Sequence, residues 1–286
     1  MKYYALLIVS ALLFSFSADQ PEENQAILYL NEMTQALDQL KTFKGEMKSK
    51  ERIDGVFMHY HNQMTVAFHP KRVYIKAFND DGSLGPEVLY REGENDNRVL
   101  VNTHGFPFIN INLSPTSSLL RNNRHNTILE AGGVYLSKVL KSTVNFVPVE
   151  KRDQVFSYHG EVTHRGRKCH RIIVDNPDFG YITYQAKEGE TIRSIAFSRS
   201  ISEYKIIESN PELDDYDSSV EGKEITIPNS FSRKNIIYVD VENGMPLYLE
   251  NYDDKGLYSM YDYIWLKVNS ELPSDAFDPD NPNYGF

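Results

Sequence analysis

Near residue 41 the spacing of apolar side chains changes from the period of a helix to the period of a strand. It does not return to the helical period until Ser118. In the stretch from Gln25 to Leu40, Ile27, Leu30, Met33, Leu37 and Leu40 recur at steps of three and four, with Leu28 beside them. This pattern predicts an amphipathic helix with one apolar stripe. From Phe43 onward the period is two, and Phe43 to Asp54, Val56 to Phe68 and Arg72 to Phe78 read as successive strands. In the second of these, Met58, Tyr60, Met64, Val66 and Phe68 share one face. Asp54-Gly55 and His69-Pro70 mark the turns. The meander continues through Glu87 to Arg91 and Arg98 to Asn102, punctuated by Gly82, Gly85-Pro86 and Gly93.

Helices follow, a short one at Ser118 to Arg121 and a longer one at Ile128 to Asn145. Ile128, Val134, Leu136, Val139 and Leu140 give the second its stripe. Gly132-Gly133 weakens it by about 1 kcal/mol per Gly relative to Ala. Asp153 to Val162 and Lys168 to Val174 form a hairpin around His164-Arg165-Gly166. Ile236 to Val241 and Leu247 to Tyr252 form another at Asn243-Gly244, and Tyr258 to Val268 is the last strand. The tail through Pro279 and Pro282 reads as extended. This order predicts an α+β fold, with one strongly curved antiparallel sheet and helices packed on one face. The alternation of apolar and polar residues fits a sheet wet on its other face.

Composition narrows the function. Lys and Arg number 30 against 40 Asp and Glu, a net charge of −10 over 286 residues. Nucleic acid is excluded as a partner, because phosphate binding needs a basic face. Purely electrostatic attachment to anionic lipid is disfavoured in the same way. The single cysteine, Cys169, excludes an intrachain disulfide and a cysteine-based zinc site. At the N-terminus Lys2 precedes a mostly apolar run from Ala5 to Phe16. That run is shorter than the roughly 20 residues a membrane span needs. Ser15 and Ser17 take the −3 and −1 positions of a cleavage site, so residues 1–17 read as a signal peptide. No Cys follows to carry a lipid anchor, and no later stretch has the length of a span. The expected location is the periplasm, with no membrane-integral segment in the mature chain.

The stretch from Asp178 to Ser230 departs from the meander. It reads as a strand, a Gly turn, a helix opening at Glu190-Thr191, a second helix, a Pro turn and a short strand. Thr191 can cap the first helix and Gly189 supplies the tight turn. Tyr184, Gly189-Glu190-Thr191-Ile192, Ile195-Ala196, Asn210-Pro211, Gly222 and Ile227-Pro228 agree in type and spacing with the LysM (lysin motif) family, which this segment resembles. Ala186 stands where that family has a β-branched residue, and Glu190 replaces its usual Asp. The resemblance implies an inserted βααβ domain at 178–230 that binds N-acetylglucosamine glycans such as peptidoglycan. Its groove would have Gly189, Glu190, Thr191 and Ile192 on one wall and Asn210, Pro211, Glu212 and Leu213 on the other. The insert holds 11 acidic and 5 basic residues, a net of −6, with Asp214, Asp215 and Asp217 beside the groove. That charge opposes the carboxylates of peptidoglycan stem peptides.

The host domain, 18–177 and 231–286, carries its most specific stretch in Ile237-Tyr238-Val239-Asp240, Pro246-Leu247, Tyr252 to Tyr258 and Tyr261-Asp262-Tyr263. It resembles an exported Gram-negative envelope family of unknown function with a LysM unit at the same place. Its layout is similar to the LolA-like lipoprotein-carrier fold, an incomplete barrel closed by helices. That similarity implies a hollow able to take a lipid or lipoprotein acyl chain, with Met58, Met64, Phe68, Tyr74 and Trp265 as candidate lining residues.

No catalytic constellation stands out. His59 and His61 share a strand face, with His69 nearby, but they lie opposite the apolar side, and a catalytic zinc takes three protein ligands. Cys169 and His170 are adjacent on a strand and point to opposite faces. No Gly-x-Ser-x-Gly, phosphate loop or dinucleotide fingerprint occurs, and no carboxylate pair suggests glycoside chemistry. The chain therefore reads as a non-enzymatic binding protein with no cofactor, no metal and no catalytic residue. The competing reading is an envelope scaffold, with its barrel filled, that contacts other proteins. A cell-wall hydrolase is the weakest reading.

Overall fold

A computed structural model describes residues 24–105, 109–121, 124–213 and 215–286; the expected signal peptide and Asp214 lie outside them. The chain opens with helix α1 (Gln25–Asp38), whose first turn is capped by the Asn24 side chain accepting from the Ile27 amide at 3.2 Å. Six strands follow: β1 (Thr42–Ile53), β2 (Val56–Phe68), β3 (Lys71–Phe78), β4 (Leu84–Arg91), β5 (Val99–Asn102) and β6 (Asn110–Leu113). Three helices come next, α2 (Ser118–Arg121), α3 (Val134–Phe146) and α4 (Arg152–Val155). Strands β7 (Phe156–His164) and β8 (Arg167–Asp175) lead into β9 (Tyr181–Gln185), α5 (Ile192–Arg199), α6 (Glu203–Ser209) and β10 (Glu224–Pro228). The chain closes with β11 (Lys234–Asp240), β12 (Pro246–Asp253) and β13 (Gly256–Val268). Among the described residues no helix is long and apolar enough to cross a membrane.

One curved antiparallel sheet holds eleven strands in the order β6-β5-β4-β3-β2-β1-β13-β12-β11-β8-β7. It is two meanders joined where β1 pairs with β13. The sheet does not close, so β6 and β7 are edges. On its concave side α1 packs against α3 and reaches β7 and β8. Leu30, Met33 and Leu37 of α1 meet Val66, Leu247 and Leu140 in one buried cluster. Full burial of each such side chain contributes about 1.5–3 kcal/mol.

A second, two-stranded sheet pairs β9 with β10, and α5 and α6 complete a βααβ unit with its own core. Ile192, Ile195, Ala196, Ile206, Ile225 and Ile227 fill that core, and Ala186 joins it. The unit is reached from β8 and left for β11, two strands that pair directly, with Asp175 opposite Lys234. It therefore extends the connection between neighbouring strands without disturbing either.

Several expected elements change at particular residues. The helix expected over 128–145 splits into a 3-10 turn at Ile128–Glu130 and α3. The cause is the positive φ of Gly132 (92°) and Gly133 (85°), a backbone conformation no helix continues through. The strand expected from Asp153 begins at Phe156, after the turn of α4. Strand β6 was not expected; Asn110-Ile111-Asn112-Leu113 alternates over too short a run to stand out. The tail is a series of turns packed on the convex face, where Ala276 and Phe277 meet Tyr74 and Leu89.

At Gly132 a Cβ would lie 2.5 Å from Phe68 Cζ, in addition to the positive φ. Gly132→Ala is expected to cost about 2 kcal/mol or more. That corresponds to a fall in Tm of roughly 4–8 °C for a chain this size. Gly82→Ala, also at positive φ but in open space, is expected to lose only about 1 kcal/mol. Thermal unfolding followed by circular dichroism compares the two.

Candidate functional site

The concave face holds more apolar surface than the helices cover, and a cavity of about 540 Å³ remains between them. Eight adjacent strands, β6 through β1 and on to β13 and β12, supply its walls, through inward positions such as Phe43, Met64, Ile75, Val88, Val101 and Leu249. Tyr135, Leu136 and Val139 of α3 close it from above. Leu119 of α2 also lines it and is 70% exposed, so the cavity reaches solvent beside that helix. The volume lies within the roughly 300–1,000 Å³ of typical small-ligand sites.

One end is polar. Glu51 is buried, and its carboxylate accepts from the Tyr261 hydroxyl and the His125 backbone amide, both at 2.8 Å. Asn126 donates to the Tyr261 oxygen at 3.0 Å. Arg124 lies over the Tyr60 ring, 4.2 Å from its centroid. Asn62, 6% exposed, carries a buried side-chain oxygen with no hydrogen-bond partner among the described residues. Glu130 accepts from the Thr127 amide at 3.0 Å. Burial, then repulsion from Glu203, pushes the Glu130 carboxyl up to about 7.

Of the five expected lining residues only Met64 lines the cavity. Phe68 is buried in the core cluster. Met58 packs against a separate cluster of Ile53, Tyr204 and Tyr258. Tyr74 points to the convex face, because Val73 and Ile75 on either side take the inward positions. Trp265 also points outward, its indole N–H donating to Glu46 at 3.0 Å. A bulge between Glu46 and Met47 moves the β13 register by one residue, so Tyr261, Tyr263 and Leu266 face inward instead. The polar end was missed, although Ser49, Glu51 and Asn62 occupy inward positions of strands otherwise apolar on that face. A polar residue at a core position is the signal that could have found it.

In the βααβ unit, Gly189, Pro211 and Glu212 are exposed, while Ile192, Asn210 and Leu213 are buried. The Asn210 amide donates to the Ile206 and Thr226 carbonyls at 2.6 and 2.7 Å, and its oxygen accepts from the Thr226 amide at 2.8 Å. Glu190 accepts from the Tyr184 hydroxyl and the Lys187 amide. Thr191 caps α5 by accepting from the Ser194 amide at 3.1 Å. The two turns are tied together, with the Arg193 amide donating to the Tyr216 carbonyl and the Val220 amide to Glu190. Tyr216 lies under the Arg121 guanidinium at 3.4 Å, and Arg121 also pairs with Glu203. Asp215 is exposed and accepts from Ser218.

His59 is exposed, and His61 pairs with Glu46 at 2.7 Å. Among the described residues no group of three metal-ligating side chains forms. Cys169 is fully buried, and burial with the nearby Asp240 carboxylate pushes its thiol up to about 11. A thiol so held stays protonated at neutral pH and is a poor nucleophile.

The molecule is thus an α+β protein whose open antiparallel sheet wraps a largely apolar cavity and carries a βααβ unit between two of its strands. The chain belongs to the family described as protein of unknown function (DUF1571), which matches residues 40–184 and 207–286. The internal unmatched stretch, 185–206, falls inside the βααβ unit. No curated protein matches the chain in sequence. Among solved structures it is similar to MucB in the MucA/MucB complex of Pseudomonas aeruginosa, with 16% identity over 88% of this chain and 60% of that one, TM-score 0.38. It is also similar to the lipoprotein LppX of Mycobacterium tuberculosis (10% identity, 87% and 97% covered, TM-score 0.39). A third is LprF of Mycobacterium bovis (10% identity, 87% and 95% covered, TM-score 0.42). The chain spans about three fifths of the length of the MucB structures it matches.

A carboxyl raised from 4.5 to about 7 on folding stabilises fully below pH 4.5 and loses that contribution as pH rises through 7. Glu130→Gln removes the loss. Its stability advantage over the wild type is expected to grow from near zero at pH 5 to about 1–2 kcal/mol at pH 8. Urea unfolding at the two pH values measures it, and an advantage independent of pH would contradict the assignment.

Proposed function

We propose that this protein is an exported, non-enzymatic binding protein whose half-barrel holds an acyl chain, as in a LolA-like carrier. The observation that carries this reading is the cavity of about 540 Å³ lined by aliphatic and aromatic side chains. An empty void costs about 24 cal/mol per Å³. This cavity opens to solvent beside α2, so its apolar lining is held without close-packed partners and partly against water, which is unfavourable in the same sense. Water fills polar space but leaves apolar walls dry. A flexible apolar ligand removes the penalty, with each buried methylene contributing about 0.8 kcal/mol. The same argument weighs against a scaffold whose barrel is simply filled by its own side chains.

Ala77 lines the cavity, and Ala77→Trp places a ring inside it. Delipidated wild type is expected to bind a fluorescent C16 acyl probe, and Ala77→Trp to weaken that binding at least tenfold. The chain purified without delipidation is expected to carry an acyl mass in native mass spectrometry. Absence of probe binding by the wild type overturns the reading.

The βααβ unit at 178–230 is, in this reading, a LysM-type module set into the host domain of 18–177 and 231–286. Its strand–helix–helix–strand order and its separate core support this. A glycan would meet the exposed turn residues Gly189, Pro211 and Glu212, because the polar side chains of Glu190, Thr191 and Asn210 are already engaged within the unit. Substituting Asn210 would therefore test folding and not binding. Retention of the mature protein on insoluble peptidoglycan, lost in Pro211→Ala/Glu212→Ala with Tm unchanged, supports a cell-wall role. No retention at low salt removes it and leaves the acyl reading standing.

A further inference from the structure

The cavity is not uniform, and its polar end has a definite chemistry. Asn62 sits on β2 between Tyr60 and Met64, on the inward face. It is buried, and its amide oxygen finds no partner among the described residues. A buried polar atom left unpaired is costly, and native proteins retain few of them. On the adjacent strand β1, Glu51 is satisfied by Tyr261 and the His125 amide, so its carboxylate has a fixed place in the wall. Among the described residues that line the cavity, Glu130 is the second acid and Arg124 the one cation. That guanidinium lies over the Tyr60 ring. The lining therefore contains more acid than base. A ligand carboxylate or phosphate brought there would add negative charge in a low-dielectric space, where like-charge repulsion is strong.

We propose that this end of the cavity is a head-group site selecting acyl ligands with a neutral head that carries a hydroxyl or primary amide, and disfavouring free fatty acids. The proposal rests on the acyl reading above and adds the identity of the head. A hydroxyl or amide N–H supplies the donor that Asn62 lacks. A site built with an unpaired polar group discriminates strongly against ligands that leave it unpaired. The apolar positions Met64, Ile75, Val88 and Val101 then take the chain.

The test displaces the fluorescent C16 probe from the delipidated full mature chain at pH 8 with palmitate, palmitamide and monopalmitoylglycerol. Monopalmitoylglycerol or palmitamide is expected to bind at least tenfold tighter than palmitate, and which of the two is tighter separates a hydroxyl head from an amide head. Asn62→Leu is expected to reduce the preference to threefold or less while leaving Tm the same or higher, since it removes an unpaired polar atom. A merely structural role would instead lower Tm and leave the preference intact. Glu51→Gln keeps the shape of the wall, removes its charge, and is expected to raise palmitate affinity. Should Asn62→Leu fail to fold, the Glu51→Gln result decides. Palmitate binding as tightly as the neutral ligands overturns the head-group proposal and leaves the acyl reading intact. Failure of every acyl ligand, the probe included, overturns both.

Discussion

The pairing of β1 with both β2 and β13 is the interaction on which the rest of the structure depends. Either meander alone would be a short ribbon with two unpaired edges and half a core. Joined along β1, they form a single curved surface whose apolar side needs a lid, and α1 and α3 supply one. The bulge at Glu46/Met47 has the largest consequence of any single backbone feature. One extra residue on β13 reverses which side chains face the hollow. Tyr261, Tyr263 and Leu266 turn inward, and Trp265 is left outside against Glu46. Without that shift the largest side chain of the strand would fill the space that is now open.

The strands and α1 were legible because their periods are strong and their turns carry Gly, Asn or Pro. The strand–helix–helix–strand order of 181–228 was legible for a similar reason, since Gly189 and Gly222 adopt positive φ and Thr191 caps a helix. What was not legible depends on long-range geometry. Alternation along one strand says which residues share a face but not which face is concave. Trp265 was displaced by a bulge that arises from pairing and not from its own neighbours. Tyr74 looked like an inward aromatic because nothing local says that the C-terminal tail covers the outside of β3. The polar end of the cavity combines Glu51, Asn62, Asn126 and Tyr261 from four separate segments, so no spacing announces it.

The βααβ unit is held to the host by buried polar contacts as well as by its connection to β8 and β11. Lys205 is fully buried, and burial lowers its ammonium to about 8. It donates to the Phe231 carbonyl at 2.6 Å and lies 4.1 Å from the Tyr258 ring centroid. His125 is stacked between Tyr204 of the unit and Tyr258 of the host, with centroid distances of 4.8 and 4.0 Å. Arg52 and Asp253 form a buried pair nearby at 2.5 Å. Such contacts stabilise little when set against apolar replacements, but breaking one partner costs about 3–5 kcal/mol. Their effect is to hold one orientation of the unit. The same His125 backbone amide fixes Glu51 at the polar end of the cavity, so the seat of the unit and that wall are physically continuous.

A sheet that surrounds a hollow has a mechanical difficulty. Its strands lack, on the inner side, the close packing that makes a protein interior stiff. Here the deficit is met from behind. The C-terminal tail places Ala276, Phe277, Tyr284 and Phe286 against Tyr74 and Leu89, with Tyr74 and Tyr284 stacked at 3.8 Å. Its end is fastened by the Gly285 amide donating to Glu87 at 2.5 Å, and Glu87 also accepts from Tyr74 and meets His104. Glu87 is completely buried, yet hydrogen bonds from Tyr74, His104 and Gly285 outweigh its desolvation and keep it below the usual carboxylate range. Pro86 and Val88, the residues on either side of it, face the cavity. The outer latch and the inner wall thus share the same short piece of β4. The tail gives these strands on their convex face the packing that an open cavity denies them on the concave one.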